Sequence, residues 1–269
     1  MAPLGEQTFR GISELMHESI GLAFAHSKLA LVSSRLSARI NRLGLDGFDE
    51  YLALISGGDD EEFQVAVDLL TTNETYFFRE PAHFALLERE AAAHKRPGLS
   101  VWSAATSYGD EAYSVAMLLA DMQLQGRIDG DWSVLGTDIS DRALRGAVDA
   151  VYTVDRLREV SPERLRKHCL RGEGAAEGLV RIKPQLCQRV RFGQLNLCRP
   201  IEPLGPFDFV FLRNVLIYFD PPTKALVVDR VLTRLRPNGV IFIGTAEGRV
   251  GCSTPLQLLA PGAFRKPAD

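Results

Sequence analysis

Cysteine is scarce, with four residues in 269 (Cys169, Cys187, Cys198 and Cys252) and no C-x-x-C pair among them. That pattern excludes a disulfide scaffold and a cysteine-built zinc module, and leaves ordinary thiols in a reducing compartment. The five histidines, His17, His26, His83, His94 and His168, show neither H-x-x-H nor H-E-x-x-H spacing, so no metal site is expected. Long apolar runs are missing too. Val210–Leu212 and Val240–Gly244 are strand-sized, well short of the ~20 residues that a membrane span needs. Excess positive charge is absent, with 31 Lys and Arg against 34 Asp and Glu and a net charge of −3, so no global basic field recruits nucleic acid. Met1–Arg10 lacks the basic-then-apolar pattern of a signal peptide, and the expected location is the cytoplasm. Internal repeats and low-complexity tracts are also lacking.

What is present is a globular composition, 46% hydrophobic and 24% charged, in a length that fits one large domain or one domain with a small partner. Up to about residue 75 the apolar pattern is helical: Ile12, Leu15, Met16 and Ile20; Leu29, Val32, Leu36, Ile40 and Leu43; Phe63, Val67 and Leu70. Gly44 and the Gly57-Gly58 pair punctuate it. An all-helical N-terminal domain over 1–75 is expected, with a second domain over 76–269. From Leu99 onward, short apolar runs alternate with helical patterns. Strands are expected at Leu99–Ser103, Trp132–Thr137, Val190–Phe192, Phe207–Leu212 and Val240–Gly244. Helices are expected over Asp110–Gln125, from Asp141, and over Lys224–Leu235. Such alternation predicts an α/β fold, a Rossmann-like and mostly parallel sheet covered on both faces, with ligands beyond the carboxyl ends of its strands. Arg171–Gln194 breaks the rhythm and reads either as a small antiparallel β insertion or as a long decorated loop.

The strand ends carry the chemistry. The first runs into Trp102-Ser103-Ala104-Ala105-Thr106-Ser107-Tyr108-Gly109-Asp110-Glu111, whose small residues permit a tight turn and close approach to a ligand. It is not G-x-G-x-x-G, and Asp110 and Glu111 at a helix N-terminus repel a diphosphate while suiting a cationic ligand such as S-adenosylmethionine. A plain helix cap, Ser107 with Asp110, is the alternative. The second strand ends on Asp138, placed either to accept from ribose hydroxyls or to cap the next helix. The fourth ends on Arg213 and Asn214, with Tyr218 one helical turn on, facing the same cleft or half-buried in the core. Before the sheet, Thr71-Thr72-Asn73-Glu74-Thr75-Tyr76-Phe77-Phe78-Arg79-Glu80-Pro81 offers Asn73, Thr75 and Arg79 to that cleft, and Pro81 opens a helix.

Three stretches, TTNETYFFRE at 71–80, WSAATSYGDEAYS at 102–114 and FLRNVLIYFD at 211–220, resemble the chemotaxis receptor methyltransferase (CheR) family. GTDIS at 136–140, QLNL at 194–197 and GVIFIGTAE at 239–247 extend the resemblance over almost the whole chain. It implies an S-adenosylmethionine-dependent protein-glutamate O-methyltransferase that esterifies glutamates in the cytoplasmic helical region of chemoreceptors, releases S-adenosylhomocysteine and associates peripherally with receptor arrays. By motif position, Asn73, Thr75 and Arg79 would contact the cofactor, Glu111 its cationic amino-acid part and Asp138 its ribose. Asn196 and Leu197 would flank the adenine, Arg213 and Asn214 would line the far side, and Arg79 and Tyr218 would stand at the reacting methyl. The β insertion would correspond to the family's receptor-tethering subdomain and bind a receptor C-terminal tail peptide. This chain departs from the family with Tyr108 for Thr, Asp110 for Glu, Ala112 for Pro, and Gly244-Thr245-Ala246-Glu247 for G-H-S-E. Tyr108 is expected to narrow the pocket or form part of its wall. A basic stripe, Lys28, Arg35, Arg39 and Arg42, would dock an acidic helical substrate or be an ordinary solvated face. The competing functions are a non-catalytic S-adenosylmethionine-binding regulatory or scaffold module, and a methyltransferase acting on nucleic acid or a small molecule.

Overall fold

The computed structural model describes residues 2–94, 96–202, 204–248 and 251–268. The N-terminal part is helical: α1 (Glu6–Ile20), α2 (Leu29–Leu43), α3 (Phe48–Ser56) and α4 (Asp60–Leu70). Each turns one apolar stripe inward, so that Ile12, Met16, Val32, Leu36, Ile40, Tyr51 and Val67 form a shared core. Left-handed Gly21 and Gly44 end α1 and α2, a conformation that glycine adopts without Cβ strain. α5 (Pro81–Ala92) follows, with proline in its first turn.

The rest is a seven-stranded sheet, built from β1 (Leu99–Ser103), α6 (Asp110–Leu124), β2 (Trp132–Asp138) and α7 (Asp141–Asp149). After a small insertion come β6 (Val190–Gln194), β7 (Phe207–Leu212), α10 (Pro221–Leu232), β8 (Leu235–Ile243), β9 (Gln257–Ala260) and β10 (Ala263–Arg265). The strand order is β6-β2-β1-β7-β8-β10-β9. The first five are parallel, and β10 runs antiparallel to both neighbours. All six residues of β7 are buried, as a parallel strand covered on both faces must be. Its alternate side chains divide between two cores: Phe209 and Phe211 with α5 and α6, Val210 and Leu212 with α10. The chain leaves β1 toward β2 and β6, then crosses back to β7. The gap beyond the β1 and β7 ends is therefore the switch point where such sheets bind ligands.

The insertion is a three-stranded antiparallel sheet of β3 (Val151–Thr153), β4 (Cys169–Arg171) and β5 (Leu179–Ile182), in the order β3-β5-β4. α8 (Pro162–His168) precedes β4, and α9 (Pro184–Cys187) follows β5. It begins about twenty residues before the expected Arg171, and 190–194 belongs to the main sheet. The expected helix over Lys224–Leu235 also shifts. Asp220 caps it through the Thr223 amide, it starts at Pro221, and Leu235 already lies in β8.

Candidate active site

All ten side chains singled out from the sequence, Asn73, Thr75, Arg79, Glu111, Asp138, Asn196, Leu197, Arg213, Asn214 and Tyr218, line one cavity at the carboxyl edge of the sheet. The cleft takes in about 1000 Å³ of non-atom space, open solvent included. Sequence reasoning missed one wall. Ile20 and Leu22, from the end of α1, join Tyr218 and Phe219 there. The Ala23 amide donates to the Tyr218 carbonyl at 3.1 Å, and Asn196 Nδ2 donates to the Ser19 carbonyl at 2.7 Å. Nothing in the α1 pattern marks a ligand wall, because Ile20 completes an ordinary apolar stripe.

At the tip of β2, Asp138 is buried and accepts the Ser107 amide on Oδ2 at 2.7 Å and the Ser140 amide on Oδ1 at 2.9 Å. Burial pushes its carboxyl above the ordinary value, opposed by those amides. It does not cap α7: Ser140 does, accepting from the Ala143 amide. Each Asp138 oxygen retains a further lone pair. At the head of α6, Glu111 accepts from Ser103 Oγ at 2.7 Å and lies 3.5 Å from Arg213 Nε. Burial raises its carboxyl despite the guanidinium. The proposed Ser107–Asp110 cap is absent: Gly109 is the cap residue and no side chain bonds there. Asp110 instead turns away to a bidentate pair with Arg156. Burial carries its carboxyl to about 6, with Arg156 opposing.

Arg79 sits between two residues in the left-handed region, Phe78 (φ 55°) and Glu80 (φ 59°). For phenylalanine that conformation costs roughly 1–3 kcal/mol and persists only where neighbours hold it. Here Phe77 and Phe78 donate their amides to the Arg156 carbonyl at 3.0 Å and to Ser114 Oγ at 2.9 Å. Arg79 Nη1 donates to the Glu74 carbonyl, and its own carbonyl accepts from Arg213 Nη2. Arg213 is buried, with Nε and Nη1 lacking hydrogen-bond partners among the described residues.

Two expectations change. Tyr108 is not in the cavity wall. Its ring packs on Gly146, where a Cβ would lie 2.7 Å from Cδ1, and beneath the Arg156 guanidinium at 4.9 Å. The basic stripe of α2 is half consumed internally. Arg39 Nε bonds Glu62 at 3.0 and 3.1 Å, and Arg35 donates to the Leu70 and Thr71 carbonyls and to Thr72 Oγ1. Lys28 and Arg42 remain exposed.

The site accommodates a cationic nucleoside. It offers the buried carboxylate of Asp138, the half-buried carboxylate of Glu111 beside Arg213, and the apolar Ile139, Leu195 and Leu197. No group of three or more metal-binding side chains is found among the described residues.

Comparison with known proteins agrees. The family model described as CheR methyltransferase, all-alpha domain, matches residues 7–71, and CheR methyltransferase, SAM binding domain, matches residues 73–258. A chemotaxis protein methyltransferase of Salmonella typhimurium is 39% identical over 246 residues, covering 91% of this chain and 84% of its own. Its namesake in Escherichia coli is 40% identical over 247 residues, covering 91% and 85%. One in Vibrio parahaemolyticus is 34% identical over 272 residues, covering 98% of each chain.

Proposed function

The chain belongs to the CheR methyltransferase family and binds S-adenosylmethionine, and from that premise we propose that it methylates glutamate side chains in the helical cytoplasmic region of chemoreceptors. The observation that carries this reading is the cavity itself. Glu111 and Asp138 give it carboxylates for a cationic nucleoside, and Arg79 and Tyr218 join the same lining. When bound, S-adenosylmethionine supplies a methyl carbon made electrophilic by its sulfonium, which an ionised carboxylate can take in line. A glutamate of pKa ~4.3 is already ionised at neutral pH, so no general base is needed. The cavity accordingly needs no His–Asp or Cys–His pair.

In this reading Glu111 holds the ammonium end, Asp138 accepts from the ribose hydroxyls, and Asn196 and Leu197 flank the adenine. Asn73, Thr75, Arg213 and Asn214 complete the cofactor's surround. Arg79 and Tyr218 orient the incoming carboxylate and exclude water. Positioning of this kind can supply roughly 7–11 kcal/mol. Too tight an ion pair to the substrate would oppose reaction, because its charge is lost in the transition state. The two domains are taken to meet near residue 75. The three-stranded insertion is assigned a receptor tail peptide, and the protein a place at receptor arrays. No helix among the described residues is long and apolar enough to cross a membrane, which is compatible with peripheral association.

The test is transfer of labelled methyl to receptor-bearing membranes, followed by base treatment. Glutamate methyl esters release volatile methanol, which this reading expects in amounts that grow with enzyme. Cofactor binding without methanol release would mark a non-catalytic module, and base-stable label would mark another acceptor.

A further inference from the structure

Glu247 lies outside the cavity, yet three backbone amides converge on it. Its Oε2 accepts from Asn214 N at 2.7 Å and from Gly244 N at 2.8 Å, and its Oε1 accepts from Ile217 N at 3.2 Å. Two of these donors belong to the loop that carries Arg213, Asn214 and Tyr218 into the cavity. That loop needs holding. Asn214 adopts φ 57°, in the left-handed region, and only a short turn of helix, Leu216–Tyr218, follows it. Space around the carboxylate is closed as well. A Cβ on Gly244 would stand 2.6 Å from Glu247 Oε2 and 2.9 Å from Asn214 Nδ2.

We propose that Glu247 is a positioning residue for methyl transfer: one carboxylate fixes the Arg213–Tyr218 loop, its Oε2 setting the cofactor-side residue Asn214 and its Oε1 setting the methyl-side residue Tyr218 through the Ile217 amide. The inference rests on the transferase reading above. It also divides the two oxygens by function, which makes it separable from a general structural role. Glutamine at 247 can present its one oxygen to Asn214 and Gly244, but its amide nitrogen then meets the Ile217 N–H donor to donor. The amide should therefore spare cofactor binding and damage the chemical step.

The experiment uses the full chain and compares wild type with Glu247→Gln, Glu247→Ala and Gly244→Ala. It reads kcat, the Kd of S-adenosylhomocysteine by calorimetry, and Tm. Glu247→Gln is expected to lower kcat about tenfold, the scale of one hydrogen bond to a charged group, with the Kd within about twofold of wild type. Glu247→Ala loses both halves, so kcat falls further and the Kd rises at least about tenfold. Gly244→Ala keeps the carboxylate and, at φ −55°, adds no backbone strain. It should lower kcat by crowding Glu247 Oε2 and, because the same Cβ crowds Asn214 Nδ2, raise the Kd as well; unchanged kcat in this variant would overturn the assignment if either Glu247 variant does not fold. Glu247→Gln and Gly244→Ala with kcat within twofold of wild type would overturn the assignment, as would losses that track Tm alone. A wild type that transfers no methyl would sink the parent reading instead. The Glu247→Ala Kd would then still report on Asn214.

Discussion

At the scale of single residues, the site divides into side chains that declare themselves and side chains that do not. Asp138, Arg213 and Asn214 stand directly after apolar strands, where a parallel sheet places its ligand edge, and all three line the cavity. Glu80 and Glu247 were passed over. Glu80 bonds the Thr245 amide at 3.1 Å and stands 3.5 Å from Asn214 Nδ2, a role fixed by residues more than 130 positions away. Burial pushes the Glu80 carboxyl up, but Arg213, the Thr245 amide and His83 outweigh it and hold the group below its ordinary value. Tyr108 was misjudged for a related reason: a left-handed Ser107 (φ 51°) reverses the chain just before it, and no sequence pattern reports that turn. Tyr218→Phe removes one hydroxyl at the cavity wall. Calorimetry with S-adenosylhomocysteine should give a Kd near that of wild type, while turnover falls about tenfold or more. Unchanged turnover would remove Tyr218 from the methyl end.

At the scale of elements, strand positions were legible and insertion boundaries were not. β1 and β7 coincide with the expected Leu99–Ser103 and Phe207–Leu212, because buried apolar runs bounded by polar residues leave little freedom. β9 and β10 were missed: Gln257–Ala260 is a short, half-exposed edge strand, and Ala263–Arg265, though mostly buried between β8 and β9, is only three residues long, too short to show alternation. On α2, the charges taken as a docking stripe include a structural pair. Arg39 meets Glu62, a buried carboxylate that also accepts from Tyr51 Oη at 2.8 Å. Arg39→Ala should cost about 3 kcal/mol by leaving that charge short of its partner, seen as a fall in Tm of roughly 6–10 °C. A change under 2 °C would return Arg39 to the surface. The insertion is tied to α6 through Asp121, which accepts from Arg164 Nε, Lys167 Nζ and His168 Nε2 at 2.6–2.9 Å. Burial raises the Asp121 carboxyl, but these three donors outweigh it and bring it to about 2, below the ordinary 3.8. The unfolded form therefore takes up the proton first, and the tether's stabilisation, complete above about pH 4, is lost as pH falls toward 2. Amide exchange in β4 and β5, corrected for intrinsic rate, should lose protection across that window in wild type. Asp121→Asn should start with lower protection and show no such step; identical profiles would contradict the tether.

At the scale of the whole molecule, the helical part and the sheet build the site together. α4 docks on the β2–α7 junction: Gln64 Nε2 donates to the Ile139 carbonyl at 3.1 Å, and Ser140 Oγ donates to Asp68 at 2.8 Å, one residue or two beyond Asp138. Arg35 on α2 binds the carbonyls that end α4 and so sets Thr71 and Thr72 at the cavity wall. The sequence showed part of this joint construction, in the Asn73, Thr75 and Arg79 offered to the cleft, but not the α1 wall or the α4 contacts, since each part satisfies its own apolar pattern without reference to the other. It follows that ligand in the cavity should stabilise both parts at once, by about 2.7 kcal/mol at a hundredfold excess over Kd. The most direct measurement is a crystal structure with S-adenosylhomocysteine. The nucleoside is predicted to lie beyond β1, β2 and β7, its ribose hydroxyls on Asp138, its ammonium on Glu111 and its sulfur toward Arg79 and Tyr218. Density for the nucleoside at any other place, with this cavity closed by the chain's own side chains, would contradict the account.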